Sequence, residues 1–440
     1  MKRAWLFILI AVACLVLGLI TGRDLFYNVV YLSALLLVAS LAWTWVSINT
    51  VRIARRTRSR RSSVGKIAEE SLSVTNTGFL PKVWLEIYDH SELPSHHVSQ
   101  VMNALAPRRS RHWAVRTICR RRGLFVLGPM TISCGDPLGL FRLKRELTAT
   151  SSIVVYPAVL PVPSFVPPLG QLPGGDAVRQ RTHYITTNVS GVRDYEPGDS
   201  FSRIHWRSTA RTGRLIVKEF ELDPTADIWL FPDMHEKAQH SLPFSDQDLE
   251  DPWIAILAGR SRKEIELDPA TEEYVITITA SIAQHFVHRD RAVGLMSYGQ
   301  TREVLQPDRG HRQLTKILET LAMTRALGEV PLTQVLLSEG ERLGRGVTLV
   351  VITPSLDPSW VAAARDLARR GVRLVAIVVD PASFGGAGDA GDIVAELQVS
   401  RVPAYLVHNG DDITTALSYQ VSTARRPVRR VGTPARIPTR

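Results

Sequence analysis

Apolar positions crowd the first fifty residues. Residues 4–20 (AWLFILIAVACLVLGLI) carry no charge, and neither do residues 26–49 (FYNVVYLSALLLVASLAWTWVSIN). Runs of that length match a hydrocarbon layer of about 30 Å at the rise of an α-helix, so two membrane-spanning helices are predicted. The connection at 21–25 holds Arg23 and Asp24, whereas Lys2 and Arg3 precede the first run and Arg52, Arg55, Arg56, Arg58, Arg60 and Arg61 follow the second. That asymmetry predicts a multi-pass anchor in the cell membrane with both termini cytoplasmic, residues 1–50 forming the anchor and 51–66 a basic juxtamembrane segment. A secretory signal peptide is the alternative for the first run. No small-x-small cleavage site follows Ile20, and the arginines hold the far side inside in either case.

From 67 to 157 the pattern has period two. In VWLEIYD, Val83, Leu85 and Ile87 alternate with Trp84, Glu86 and Tyr88, and HWAVRTIC at 112–119 alternates likewise. Further strands are expected at 71–76, 124–127, 130–134 and 152–157, with turn signals at Asn76-Thr77-Gly78, Gly128-Pro129 and Gly135-Asp136-Pro137. Short punctuated strands of this kind predict an antiparallel β-sandwich. Residues 158–182 are rich in Pro and Gly and read as a linker.

After 226 the rhythm changes. Apolar strands are predicted at 227–232, 292–298, 347–353, 372–379 and 404–408, with helices at 270–289, 310–325, 358–370 and 411–422 between them. Continuous Val/Ile/Leu strands separated by amphipathic helices predict a doubly wound α/β domain over 226–422. The polar stretch 234–268 reads as an insertion, and 423–440 as a basic, Pro-rich, disordered tail.

Charge changes the picture only by its location. Of the net +11, residues 1–66 carry +9 and 425–440 carry +6, so 67–424 are net −4. The basic stretches flank the membrane or lie in the tail, and nucleic-acid binding is not expected. Cys14, Cys119 and Cys134 have no metal or disulfide spacing and are expected to be reduced thiols. The pair His96-His97 is expected to be solvated.

The richest chemistry lies in RDYEPGDSFSRIHWRSTARTGRLIVKEFE at 193–221, within a motif segment taken as 183–225. Pro197-Gly198 is a tight-turn dipeptide, and Asp199 or Ser200 is expected to cap a helix over 201–211 that Gly213 ends. Arg203, Trp206, Arg207 and Ala210 share one side of that helix, Ile204, Ser208 and Arg211 follow an adjacent stripe, and His205 lies on neither. Arg193, Asp194, Tyr195, Glu196 and Asp199 are close enough in sequence to pair with them. Three readings follow. The plainest is an ion-pair and stacking network locking two domains together, in which a buried Trp206 makes Trp206→Ala cost about 3 kcal/mol. The second is a partner-binding surface. The third is catalysis by Asp199, Arg203 and His205, although no activated Ser or Cys nucleophile stands at recognisable spacing, so no catalytic residue is assigned and no enzyme is expected.

The two-helix anchor, the segment RRGLFVLGPMTISCGDPLGLF at 121–141 and the 193–221 motif together resemble the bacterial membrane proteins called domain of unknown function fifty-eight. The resemblance covers most of the soluble chain. It implies an immunoglobulin-like β domain, a von Willebrand factor A-like α/β domain and an association with MoxR-type AAA+ ATPases, and it brings no defined activity. Proteins of the von Willebrand type often hold Mg²⁺ or Ca²⁺ in an Asp-x-Ser-x-Ser loop. The equivalent here, Asp233-Met234-His235-Glu236-Lys237, lacks both serines and adds Lys237. Thr353 and Asp357 are left as oxygen donors, so a degenerate site and no cofactor are expected. The function expected is that of a membrane-tethered adaptor for protein partners in the assembly or maturation of envelope or other complexes. A Mg²⁺-dependent adhesion module and a hydrolase built on Asp199, Arg203 and His205 are the alternatives.

Overall fold

The computed structural model describes residues 2–165, 185–196, 199, 201, 204–222, 227–243 and 267–418. Within them the chain forms several sheets and helices, divided between two compact units. One is Met1–Ala158 with Phe244–Asp268 and Leu318–Met323; the other is Val159–Pro243, Pro269–Ile317 and Thr324–Arg440.

The first unit begins with α1 (Lys2–Thr21) and α2 (Asp24–Asn49), both long and apolar enough to cross a membrane. Strands β1 (Val51–Thr57), β3 (Ile67–Asn76) and β6 (Ser110–Ile118) form one antiparallel sheet. A second joins β5 (Gln100–Leu105), β4 (Lys82–Asp89), β8 (Met130–Gly135) and β9 (Arg142–Leu147). Leu72 and Val74 from the first and Leu85, Ile87, Met102, Ile132 and Cys134 from the second meet in one core, as the period-two pattern requires. A third sheet holds β2 (Arg61–Ser63), β10 (Ser151–Tyr156) and β7 (Gly123–Leu127), and there β10 pairs with β2 in parallel rather than antiparallel fashion.

Two expectations are corrected here. The stretch 51–66 contains strands β1 and β2, so the β domain starts directly after α2. The arginines hid this because Arg55 takes an inward position in line with Val51 and Ile53. His96 is not solvated either: its side chain is 1% exposed, and it lies 3.1 Å from Glu70 and 2.7 Å from Thr117, whereas His97 is exposed. Cys119 and Cys134 are buried free thiols, and burial pushes the Cys134 thiol up to about 11.

In the second unit β11 (Ile185–Asp194) and β12 (Ile216–Leu222) pair antiparallel, with α3 (Trp206–Thr212) between them. A six-stranded sheet follows, made of β13 (Ile228–Pro232), β14 (Val293–Tyr298), β15 (Arg302–Asp308), β16 (Thr348–Thr353), β17 (Arg373–Val379) and β18 (Ala404–Val407). Its order is β15-β14-β13-β16-β17-β18, all parallel except the edge strand β15. The five apolar strands lie within a residue or two of their expected places. Strand β15 was not foreseen, because its REVLQPD sequence is polar and contains a proline, as suits an edge.

The connecting helices are α4 (Thr271–Val287), α5 (His311–Met323), α6 (Leu332–Gly340), α7 (Ser359–Arg369), α8 (Ala390–Val399) and α9 (Ile413–Ala416). Of these, α6 and α8 were not foreseen, and the helix expected over 411–422 is the short α9, with residues 419–422 outside the described residues. Trp229, Phe231, Val351 and Val378 pack with α6, α7 and α8 on one face of the sheet, and β13 and β16 are buried along their whole length. Among its described residues the inserted stretch holds a 3₁₀ turn at Glu236–Ala238, while 244–266 lie outside the described residues, as do 423–440 of the tail and 166–182 of the linker. Ala158, Val162 and Phe165 of the linker are buried and so are not a free connection.

Candidate functional site

Two places in the second unit bring the sequence-predicted residues together. The first is the excursion between β11 and β12. Arg193, at the end of β11, makes two hydrogen bonds to the Asp199 carboxylate, at 2.8 and 2.7 Å. Such a two-pronged pair fixes the relative orientation of its planar groups as well as their distance. Asp199 also accepts from the Glu196 N–H at 3.0 Å, so this carboxylate closes the turn instead of capping the helix.

Capping falls to His205, whose Nδ1 accepts from the Ser208 N–H at 3.3 Å and lies 2.7 Å from the Ser208 hydroxyl. The helix therefore starts at Trp206, not at 201. It ends as expected, with Gly213 in the left-handed conformation at φ 70°. Ile204 and Val217 are buried and bridge to one another, and the His205 N–H donates to the Ile216 carbonyl, so the excursion is fastened to its own strand.

The fastening leaves aromatic rings outside. Tyr195 stacks on Phe201 with ring centroids 6.1 Å apart. Phe201 is 70% exposed and Trp206 65% exposed, with Val192 and Leu215 also at the surface. Arg207, Arg211 and Arg214 are exposed beside them, and Arg214 lies 3.9 Å from Asp194. Trp206 is thus not the buried indole that the interdomain-lock reading required. The helix has too few apolar residues to give a burial face, and none of its seven residues is buried. Pro197, Gly198 and Arg203 lie outside the described residues. Phe201 was not singled out from sequence, although an aromatic residue in an otherwise polar turn is a usable signal.

The second place is the carboxyl end of β13. Strand β13 has β14 on one side and β16 on the other, and the crevice beyond the strand ends at such a reversal is the usual ligand position in open α/β sheets. Asp233 sits there, 2% exposed. Its Oδ2 accepts from the Thr353 hydroxyl at 2.6 Å and its Oδ1 from the His235 N–H at 3.1 Å. Burial drives the carboxyl above the ordinary aspartate range, and the bonds from Thr353 and His235 only partly oppose this.

Asp357 is spent elsewhere, accepting from the Ser359 N–H and hydroxyl at 3.0 and 2.5 Å at the start of α7. Among the described residues no three His, Cys, Asp or Glu side chains gather as metal ligands. A hard cation calls for several charged or neutral oxygens. One buried carboxyl with both oxygens engaged by protein donors, and an imidazole-bearing loop beside it, does not fit that need.

A carboxyl with a raised pKa in the fold stabilises it fully below about pH 3.9, and that contribution is lost as pH rises towards the folded value. Asp233→Asn removes the dependence. The melting temperature of the variant is expected to match or exceed that of the parent at pH 7, with the parent gaining on it as the pH falls towards 5. A variant markedly less stable at pH 7 would show that the ionised carboxylate is the stabilising form.

Residues 191–258 match the family model described as protein of unknown function DUF58. The match supports the DUF58 family. It begins within β11 and takes in the whole excursion with its Arg193–Asp199 pair and exposed rings, together with β13 and Asp233, while Thr353 lies beyond it. The uncharacterized protein YeaD of Bacillus subtilis (strain 168) is 22% identical over 244 residues, which is 55% of this chain and 53% of that protein. The chain thus spans about half the length of this curated relative.

Among solved structures, the pilus adhesin SpaC from Lactobacillus rhamnosus GG covers 44% of this chain and 28% of its own at 11% identity, with a TM-score of 0.28. The CARDB domain of PF1109 from Pyrococcus furiosus covers 24% and 91% at 13% identity, with a TM-score of 0.19. Scores this low carry no argument about fold or function.

Proposed function

We propose that this protein is a membrane-tethered adaptor that presents the aromatic and arginine surface of the DUF58 excursion to an acidic protein partner. The observation that carries the reading is the pair Phe201 and Trp206, held outward at 70% and 65% exposure on a turn fixed by Arg193 and Asp199. Exposed aromatic rings flanked by arginine are the side chains that dominate binding energy in protein interfaces. Rigid support reduces the entropy lost when they dock.

The helices α1 and α2 supply the tether, and the positive charge flanking them favours a cytoplasmic face for both termini. Resemblance to the family supports an immunoglobulin-like reading of the β domain and suggests a MoxR-type AAA+ ATPase as the partner. The strand order and the antiparallel edge of the second unit favour a von Willebrand factor A-like domain. The hydrolase alternative is the weaker one, because His205 acts as a helix cap and Asp199 is committed to Arg193. The metal-dependent adhesion alternative is weaker for the donor set already described.

The test is capture of a MoxR-type AAA+ ATPase from the same genome by the full-length protein in detergent, with nucleotide present. Trp206→Ala is expected to weaken binding by about 2 kcal/mol or more, roughly thirtyfold. Its melting temperature should stay close to that of the parent, because an exposed indole contributes little to folding. Failure of the unmodified pair to associate would remove the proposed partner, and undiminished binding by the variant would remove the proposed surface.

A further inference from the structure

We propose that the end of the β domain where α2 enters is a membrane seat: Phe79 and Leu138 dip into the interface of an anionic bilayer, and Arg52, Arg108, Arg109 and Arg111 pair with its lipid phosphates. The inference rests on the reading of α1 and α2 as a membrane anchor.

Strand register defines which loops share that end. Val51 lies opposite Asn76, Thr75 opposite Ser110, Lys82 opposite Leu105 and Gly135 opposite Arg142. The loops 77–81, 106–109 and 136–141 therefore all leave the domain where α2 arrives. The first two are also bound together. The Asn76 amide donates to the carbonyls of Leu80, Leu105 and Ala106, and the Asn76 N–H donates to the Arg109 carbonyl.

The junction with the helix is rigid. Thr50 alone separates α2 from β1. Its carbonyl accepts from the Thr77 N–H at 2.9 Å and its hydroxyl from Lys82 Nζ at 2.7 Å. A side chain at position 78 would meet the Thr50 hydroxyl at 2.6 Å, so only glycine lets the loop lie this close to the helix end.

The helix itself sets the depth. Ser40, Thr44, Ser47 and Ile48 are buried in the first unit, where α2 lies against β8 and β9, while Leu41 and Trp45 face outward at 47% and 62% exposure. The last ten residues of α2, about 15 Å of helix, thus run alongside the β domain. Residues 24–39 then supply only about 24 Å for a hydrocarbon layer of about 30 Å. Such a shortfall draws the flanking surface towards the interface.

That surface has the composition an interface favours. Phe79 is 72% exposed and Leu138 50% exposed. Leu138 is presented by a loop in which Asp136 accepts from the N–H groups of Leu138 and Phe141 at 3.0 and 2.7 Å. Arg52, Arg108, Arg109 and Arg111 are all exposed around these rings and chains. Aromatic and aliphatic tips ringed by arginine suit the boundary between acyl chains and anionic headgroups.

The experiment uses the full-length protein carrying Cys14→Ser, reconstituted into vesicles of brominated phosphatidylglycerol or brominated phosphatidylcholine. A fluorescent nitrobenzoxadiazole probe is attached at F79C, L138C or T148C. Thr148 is exposed in the loop at the opposite end of the domain, and the remaining thiols Cys119 and Cys134 are buried. Several-fold stronger quenching at 79 and 138 than at 148 is expected in phosphatidylglycerol. Adding R52Q, R108Q, R109Q and R111Q should weaken it there, and the parent should be quenched less in phosphatidylcholine. Equal quenching at all three positions in protein that floats with the vesicles would overturn the seat while leaving the anchor intact. Equal quenching in both lipids would overturn the preference for an anionic headgroup, and unchanged quenching in the fourfold arginine variant would overturn the phosphate pairing. Protein that fails to float would overturn the anchor reading itself, and the seat with it.

Discussion

Arg55→Ala is expected to destabilise the β domain by about 3–5 kcal/mol, because it strips the cation from a buried cluster of acids. Arg55 Nε lies 3.1 Å from Glu70 Oε2 and its Nη2 lies 2.8 Å from Asp89 Oδ2, with side-chain exposures of 9%, 2% and 1% for the three residues. Arg55 Nη2 also donates to the Ser91 hydroxyl at 3.1 Å, and Thr57 donates to the other oxygen of Glu70 at 2.9 Å. Without the guanidinium, Glu70 and Asp89 keep only His96 and the hydroxyls of Thr57 and Ser91 as partners in a buried cluster.

Burial alone would raise the pKa of Glu70. The His96 hydrogen bond, the Arg55 charge and the Thr57 hydroxyl more than offset this and hold it below the ordinary range. A depressed carboxylate of this kind stabilises the fold above its unfolded pKa of about 4.3, and the contribution is lost as pH falls through the folded value. Thermal melts of the full-length protein in detergent should therefore show a fall of more than about 12 °C at pH 7. The gap should narrow as the pH drops below about 4. Arg58→Ala is the control: Arg58 lies 2.7 Å from Glu69 but is 81% exposed, and its loss should leave the melt unchanged. A fall at Arg55→Ala no larger than that control would mean the cluster contributes nothing net.

Trp360→Ala is expected to cost about 3–5 kcal/mol in the second unit. Trp360 is completely buried and belongs to the core formed by Phe231, Val351, Leu336 and Ile393. Its indole N–H donates to the Ser355 carbonyl at 3.3 Å, fixing the turn that leads from β16 to α7. Truncation would leave a cavity where a sheet and three helices meet, and a densely packed interior closes only partly around such a void. The melting temperature of the second unit should fall by more than about 6 °C. Set beside Trp206→Ala, for which little change is expected, the pair separates an indole that holds the fold from one that lies at the surface. Equal effects at the two positions would contradict the exposures on which that distinction rests.

Much of the architecture is legible along the chain because burial has a period. Two uncharged runs form long apolar helices, and IWLFP and TLVVIT are apolar throughout because both faces are covered. Leu85 and Ile87 of VWLEIYD are buried in alternation as expected, although Val83 is exposed and Lys82 buried at the strand start. Gly213 marked the end of α3 for an equally local reason, since only the left-handed conformation closes that turn cheaply. In VRIARRT, Val51, Ile53, Arg55 and Thr57 share one side, but the interspersed arginines made the stretch read as a basic juxtamembrane segment instead of a strand.

What faces Arg55 was not visible. Glu70, Asp89 and His96 come from three other places in the chain, and only the pairing of β1 with β3 and the path of the loop after β4 bring them within hydrogen-bond reach. The motif shows the same division. Its composition left an interdomain lock, a partner-binding surface and catalysis all open, and whether Trp206 points inward or outward depends on which side of the excursion Ile204 and Val217 anchor. Similarly, the placing of Asp233 beside Thr353 is a consequence of strand order. Local pattern determines which residues seek burial, since that preference belongs to each side chain and its period. Partnership between distant polar groups is decided by topology, because a buried charge has no local signal that names its counterpart.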